Sequence, residues 1–110
     1  MNVSDLSGQF GFEALVRPPV DHVIVDAYTS DLLSDVMARA SEGSALVTIQ
    51  AHKNTVAVAS LVGSCAIVLC NDRAAPADMI EAAGSEGIAI FRTPMNQFEV
   101  SGVLYRALRG

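Results

Sequence analysis

Apolar residues along this chain fall into two kinds of segment that take turns. There are short unbroken runs, and there are longer stretches with apolar positions three and four apart. The first kind reads as strands buried on both faces, the second as amphipathic helices. Phe12 to Val16 predicts a short first strand, stopped by Arg17-Pro18-Pro19. His22 to Ala27, centred on Val23, Ile24 and Val25, predicts the second. Ser30 then offers an N-cap for a helix over Asp31 to Ala40, with Leu32, Leu33, Val36, Met37 and Ala40 on one face and Gly43 as its stop. Ala45 to Ile49 is the next strand. Asn54 caps a segment reaching Val62 that is apolar on almost every side (Val56, Val58, Leu61, Val62), so it is expected to be buried, and Gly63 ends it. Cys65 to Cys70 follows as a strand. Pro76, Met79, Ile80 and Ala83 predict a third helix closed by Gly84. Ile88 to Phe91 is the last strand. Asn96 with Glu99 three residues on resembles a capping box, ahead of Val100, Val103, Leu104 and Ala107 at helical spacing.

Strands alternating with helices predict an α/β domain of three layers, α/β/α, around a mostly parallel sheet of about five strands. The polar, Ser/Gly-containing stretch over residues 1–11 is expected to be loose, and residues 12–110 to form a single domain.

Composition narrows the function. Of 110 residues, 51% are hydrophobic and only 17% charged, enough for a true core with little spare solvated surface. The net charge of −5, with charges dispersed, argues against nucleic acid and anionic membrane as partners. No apolar run approaches the ~18 residues of a membrane span. No charged-then-apolar leader pattern opens the chain, so a cytoplasmic location is expected. The two cysteines, Cys65 and Cys70, bracket one apolar run. As strand residues they would lie ~16 Å apart on opposite faces, too far for a disulfide, so both are expected to be free thiols in a reducing compartment.

In a parallel sheet, ligands bind beyond the carboxyl ends of the strands. Four loops are expected there: residues 28–30, 50–54, 71–75 and 92–96. Each leads into a helix N-terminus, whose free N–H groups favour anions. These loops carry Lys53, Arg73, Arg92 and His52, a basic minority in an acidic chain. Together with Ser30, Asn54, Asn71, Asp72 and Asn96, they form the candidate ligand-binding set, for a small anion-bearing molecule such as a nucleotide or phosphorylated metabolite. A protein partner at the same edge is the other option. Asp31 and Asp35, four apart, could act as an acid–base pair, but a helix-dipole acid and an ordinary Asp35–Arg39 pair account for them better. His52 and Cys70 end neighbouring runs. With Asp72 they could form a small catalytic group, or half a metal site, but no CxxC or HxxxH spacing supports a metal. No GxGxxG and no GxxxxGK[ST] is present, which excludes a stand-alone P-loop protein kinase. No catalytic residue, metal ligand or cofactor is therefore assigned.

Three segments carry a resemblance: Tyr28-Thr29-Ser30-Asp31-Leu32-Leu33-Ser34-Asp35-Val36-Met37-Ala38, Val47-Thr48-Ile49-Gln50-Ala51-His52-Lys53-Asn54-Thr55-Val56-Ala57-Val58-Ala59, and Phe98-Glu99-Val100-Ser101-Gly102-Val103-Leu104-Tyr105. From about Val20 to Leu108 the chain resembles the DRTGG domain family. That family is related to the N-terminal domain of HPr kinase/phosphorylase and also occurs beside CBS domains. The similarity is greatest to small stand-alone members found with hydrogenase and electron-transfer genes. The naming motif is an Asp-Arg pair after one strand and Thr-Gly-Gly after the next. Here those places hold His52-Lys53-Asn54 and Cys70-Asn71-Asp72, and Asp72-Arg73 lies one strand too late. Ligand roles of the motif residues therefore do not carry over. The resemblance implies the fold, a homodimer, and a non-catalytic regulatory or ligand-sensing role, with a link to hydrogenase or redox metabolism. The alternative is a small enzyme or enzyme accessory using His52, Cys70 and Asp72.

Overall fold

The computed structural model covers residues 1–110. Five strands, β1 (Glu13–Val16), β2 (Asp26–Thr29), β3 (Ser44–Thr48), β4 (Ala66–Leu69) and β5 (Ala89–Arg92), form one sheet in the order β1-β5-β4-β3-β2. The pairings β2–β3, β3–β4 and β4–β5 are parallel, and β1 runs antiparallel along β5. The helices are α1 (Asp5–Gly8), α2 (Leu33–Arg39), α3 (Lys53–Val62), α4 (Ala77–Glu86) and α5 (Gln97–Arg109).

The sheet's two faces explain the unbroken apolar runs. Every residue of β3 and β4 is buried. Leu46, Ile67, Leu69 and Ile90 face Val36 of α2, Val56 and Ala59 of α3, and Met79 and Ala83 of α4. Ala45, Val47, Ala66, Val68 and Phe91 face Leu6 of α1 and Val100 and Leu104 of α5. With helices on both sides, both sets of alternating side chains must be apolar, and period-two alternation disappears. The predicted three-layer α/β architecture is therefore present.

Several boundaries differ from expectation. The stretch over residues 1–11 is packed rather than loose. Val3 and Leu6, one turn apart, are buried anchors among small polar residues. Val3 N donates to His22 O at 2.9 Å and Ile24 N to Met1 O at 2.7 Å. Ser4 holds the Asp21 carboxylate through both its N–H and its hydroxyl, at 2.9 and 2.6 Å. The second strand is shifted to Asp26–Thr29, because its ladder must begin opposite the start of β3 at Ser44. Only Ile24 of the Val23-Ile24-Val25 run is buried.

The α2 helix begins two residues later than predicted. Ser30 does not cap it; its Oγ instead accepts from Leu32 N at 3.2 Å, a local turn that competes with helix. The α3 helix is not buried all round, since Leu61 is 72% exposed. The α4 helix passes through Gly84 and stops at Gly87, whose φ of +68° supplies the left-handed terminus that Gly84 does not. Cys65 and Cys70 are both free and buried, but they share one face rather than opposing ones, because Cys65 lies before β4 and escapes its pleat.

Candidate functional site

The loops after β2, β3, β4 and β5 all leave the same carboxyl edge. The loops after β2, β3 and β4 turn to the face that carries α2, α3 and α4, whereas the loop after β5 turns to the other face. The carboxyl ends of β4 and β5 therefore diverge, which is where a crevice opens in a parallel sheet. Here the divergence is stitched shut. Asn71 N donates to Met95 O at 2.9 Å, and Asp72 N donates to Thr93 O at 2.8 Å. Asn71 and Asp72 reach these carbonyls with φ of 56° and 58°, a left-handed pair that Asn and Asp tolerate better than other side chains. Arg92 closes the seam from below. Its Nε and Nη2 donate to Asp72 O at 3.1 and 2.9 Å, and its Nε also lies 3.1 Å from the Asp72 carboxylate. Glu13 of β1 stands 3.8 Å from its other nitrogen. Arg92 is thus a structural cation.

A second knot lies at the ends of β2 and β3. Oδ1 of Asp31 accepts from Thr48 Oγ1 and Ile49 N, both at 2.9 Å, and from Gln97 Nε2 at 3.0 Å. Gln50 Nε2 adds a bond to Asp31 O at 3.1 Å. Burial alone would raise the Asp31 pKa. The bonds from Ile49, Thr48 and Gln97, with the positive field of Arg73, outweigh it and hold the carboxyl below its ordinary value. Asp31 thus ties the β2 loop to β3 and to the first turn of α5. Asp35 faces elsewhere, accepting from Tyr28 Oη at 2.7 Å and pairing with Arg39 at 3.6 Å. The two carboxylates do not form an acid–base pair, because Asp31 lies outside the helix that was to align them.

Two of the four helix N-termini at this edge, those of α3 and α5, are capped by side chains of their own first turn or cap residue, whereas α2 and α4 have no side-chain cap. His52, rather than Asn54, is the N-cap of α3, its Nδ1 accepting from Asn54 N at 3.2 Å. Asn96 caps α5 in a complete capping box, with Oδ1 accepting from Glu99 N at 2.9 Å and Glu99 Oε1 accepting from Asn96 N at 3.1 Å. Of the nine candidate residues, Arg92, Asn71 and Asp72 hold the β4–β5 seam, while Ser30 and Asn96 shape their own turns. His52, Lys53, Asn54 and Arg73 remain exposed. Lys53 and Arg73 form no ion pair. Lys53 and Asn54 line a shallow hollow of about 230 Å³ between α3 and α4, and no cavity gathers the nine into one crevice.

The proposed His52–Cys70–Asp72 group is not assembled. No hydrogen bond joins any two of them, and Cys70 is fully buried with its thiol directed at Val68 O, 3.9 Å away. Burial first, and the Asp31 charge second, push that thiol up to about 11, the opposite of an activated nucleophile. Thr48 and Gln97, which complete the Asp31 knot, are residues that the sequence pattern did not single out. A hydroxyl ending an otherwise apolar buried strand was the available signal for Thr48; Gln97 had none.

Neither a protein-family model nor a curated protein sequence matches the chain. A solved structure does: the CBS and DRTGG domains of the regulatory region of Clostridium perfringens pyrophosphatase, complexed with its activator diadenosine tetraphosphate. The TM-score is 0.70 at 14% sequence identity. The match covers 93% of this chain and 44% of that one. The chain has a DRTGG-like fold. At this identity the likeness concerns the fold, and the DRTGG-like chain spans less than half the length of the structure it matches. No helix is long and apolar enough to cross a membrane.

Proposed function

We propose that this DRTGG-like chain is a non-catalytic regulatory module that senses a small anion-bearing molecule, a nucleotide or phosphorylated metabolite, at the carboxyl edge of its sheet. The observation that carries the reading is the pair of exposed, unpaired cations Lys53 and Arg73. They stand on neighbouring loops at that edge, in a chain of net charge −5. His52 and Asn54 stand beside them at the start of α3, where the helix dipole also favours negative charge. The fold neighbour adds support, since the regulatory region it comes from was solved with a nucleotide activator. Ser30, Asn71, Asp72, Arg92 and Asn96 act in this reading as the frame that fixes the loops. A homodimer belongs to the same reading, because a second subunit gives an effector a quaternary arrangement to shift.

Chemical-shift mapping with ATP, diadenosine tetraphosphate, a sugar phosphate and inorganic phosphate tests it. Perturbations at residues 50–55 and 71–75, lost in a Lys53→Ala, Arg73→Ala double variant, are expected. The absence of shifts with every anion at millimolar concentration would sink the ligand reading and favour a protein partner at this edge.

A further inference from the structure

The α5 helix presents a face that nothing in the chain covers. Phe98, in its first turn, is 87% exposed. It borders a groove of about 650 Å³ backed by Phe10 and Met95. Large exposed aromatics beside a concave apolar surface are a mark of interaction sites.

The groove also says what kind of surface fits it. The α5 residues that line it pair off about the midpoint between Gly102 and Val103. Phe98 matches Ala107, Glu99 matches Arg106, and Gly102 matches Val103. Each pair joins unlike members: large with small, acid with base, small with large. At 1.5 Å rise per residue, Glu99 and Arg106 sit about 5 Å on either side of the midpoint, and Phe98 and Ala107 about 7 Å. A second α5 running antiparallel across a two-fold axis at that midpoint would set every residue against its mate, as an isologous interface requires.

Two further observations agree. Arg106 has no ion-pair or hydrogen-bonding side-chain partner within the chain, and only one carboxylate oxygen of Glu99 is used, in the α5 capping box. Gly102 lies inside a helix, where glycine is unfavourable, yet a Cβ built there meets no atom within 4 Å. The chain's own packing does not require glycine at this position. Close approach of a second backbone would make use of it.

We propose that two copies of this chain pair antiparallel through α5, with Phe98 of each packing over Ala107 of the other, Val103 of each over Gly102 of the other, and with reciprocal Glu99–Arg106 ion pairs. The inference rests on the homodimer of the preceding reading, but not on its anion site.

Sedimentation velocity on the whole chain up to high micromolar concentration is the first test. A dimer is expected, and Phe98→Asp and Arg106→Glu should each weaken it on the order of tenfold or more. Tyr105→Ala, an exposed change on α5 outside the groove, should leave it intact. Far-UV circular dichroism confirms that the variants fold. Disulfide trapping reads the register directly. Phe98→Cys mixed with Ala107→Cys should cross-link on mild oxidation, and Phe98→Cys alone should not. A chain that stays monomeric at every concentration overturns the pairing and the homodimer reading together. A dimer indifferent to Phe98→Asp and Arg106→Glu, or one in which Phe98→Cys cross-links to itself, overturns the α5 seam alone.

Discussion

Replacing Asp31 with Ala should cost far more stability than its half-exposed position suggests. The substitution removes one acceptor that serves three donors: Thr48 Oγ1, Ile49 N and Gln97 Nε2. Gln97 can turn to water. Thr48 is fully buried, and the Ile49 amide follows it directly, so these two donors lose a charged acceptor where solvent replaces it poorly. Hydrogen bonds to charged groups contribute about 1.5–3 kcal/mol each, and partial exposure of the carboxylate puts these at the low end, so the total loss is ~2–4 kcal/mol. That is a large share of a typical domain's ~5–15 kcal/mol. Asp31→Asn keeps an amide oxygen for the Ile49 N–H and should lose about half as much.

The sign with pH follows from the carboxyl's lowered pKa. Unfolded aspartate titrates near ~3.9, so the Asp31 contribution is complete above that pH and disappears as pH falls through the lower folded value. Urea unfolding followed by far-UV circular dichroism, at one protein concentration and at pH 7 and pH 3, measures both effects. The wild-type advantage over Asp31→Ala should shrink at the lower pH. A loss under ~0.5 kcal/mol at pH 7 would refute the accounting of desolvated donors. An equal difference at both pH values would refute the role of the charge.

Glycine positions supply a matched pair of further tests. Gly84→Ala in mid-α4 meets no atom and should stabilise by about 0.5–1 kcal/mol, seen as a higher urea midpoint; destabilisation would mean that α4 ends there. Gly63→Ala should destabilise by ~1–2 kcal/mol, because its φ is +76° and the new Cβ would stand 2.9 Å from Glu42 Cγ. Thiol titration without reductant should find both cysteines free in denaturant. They should react only slowly in the native state near neutral pH, since both are buried and the Cys70 thiol is held at about 11. Fast native labelling of Cys70 would show that its end of β4 opens to solvent.

The α/β layering was legible in the residues because burial on both faces of a parallel sheet leaves a local trace, the unbroken runs of Ala45 to Ile49 and Cys65 to Cys70. The α5 cap was legible for a similar reason: Asn96 and Glu99 satisfy each other across three residues, with no help from the rest of the chain. Other features depend on partners far away in sequence. Ser30 would cap a helix in isolation, but Asp31 beside it is held by Thr48, Ile49 and Gln97, so the helix starts later. Val3 and Leu6 look like incidental apolar residues in a polar tail until the sheet offers them a face. The four candidate loops were placed at the carboxyl edge, where they lie, but the contacts that fill that edge were not legible. Whether that edge is open depends on which face each helix takes, and on the left-handed turn at Asn71 and Asp72 that lets their N–H groups reach Thr93 and Met95. Local patterns set which elements form and where the chain is punctuated. Long-range hydrogen bonds, which carry no periodicity, decided which polar residues became structure and which were left facing solvent.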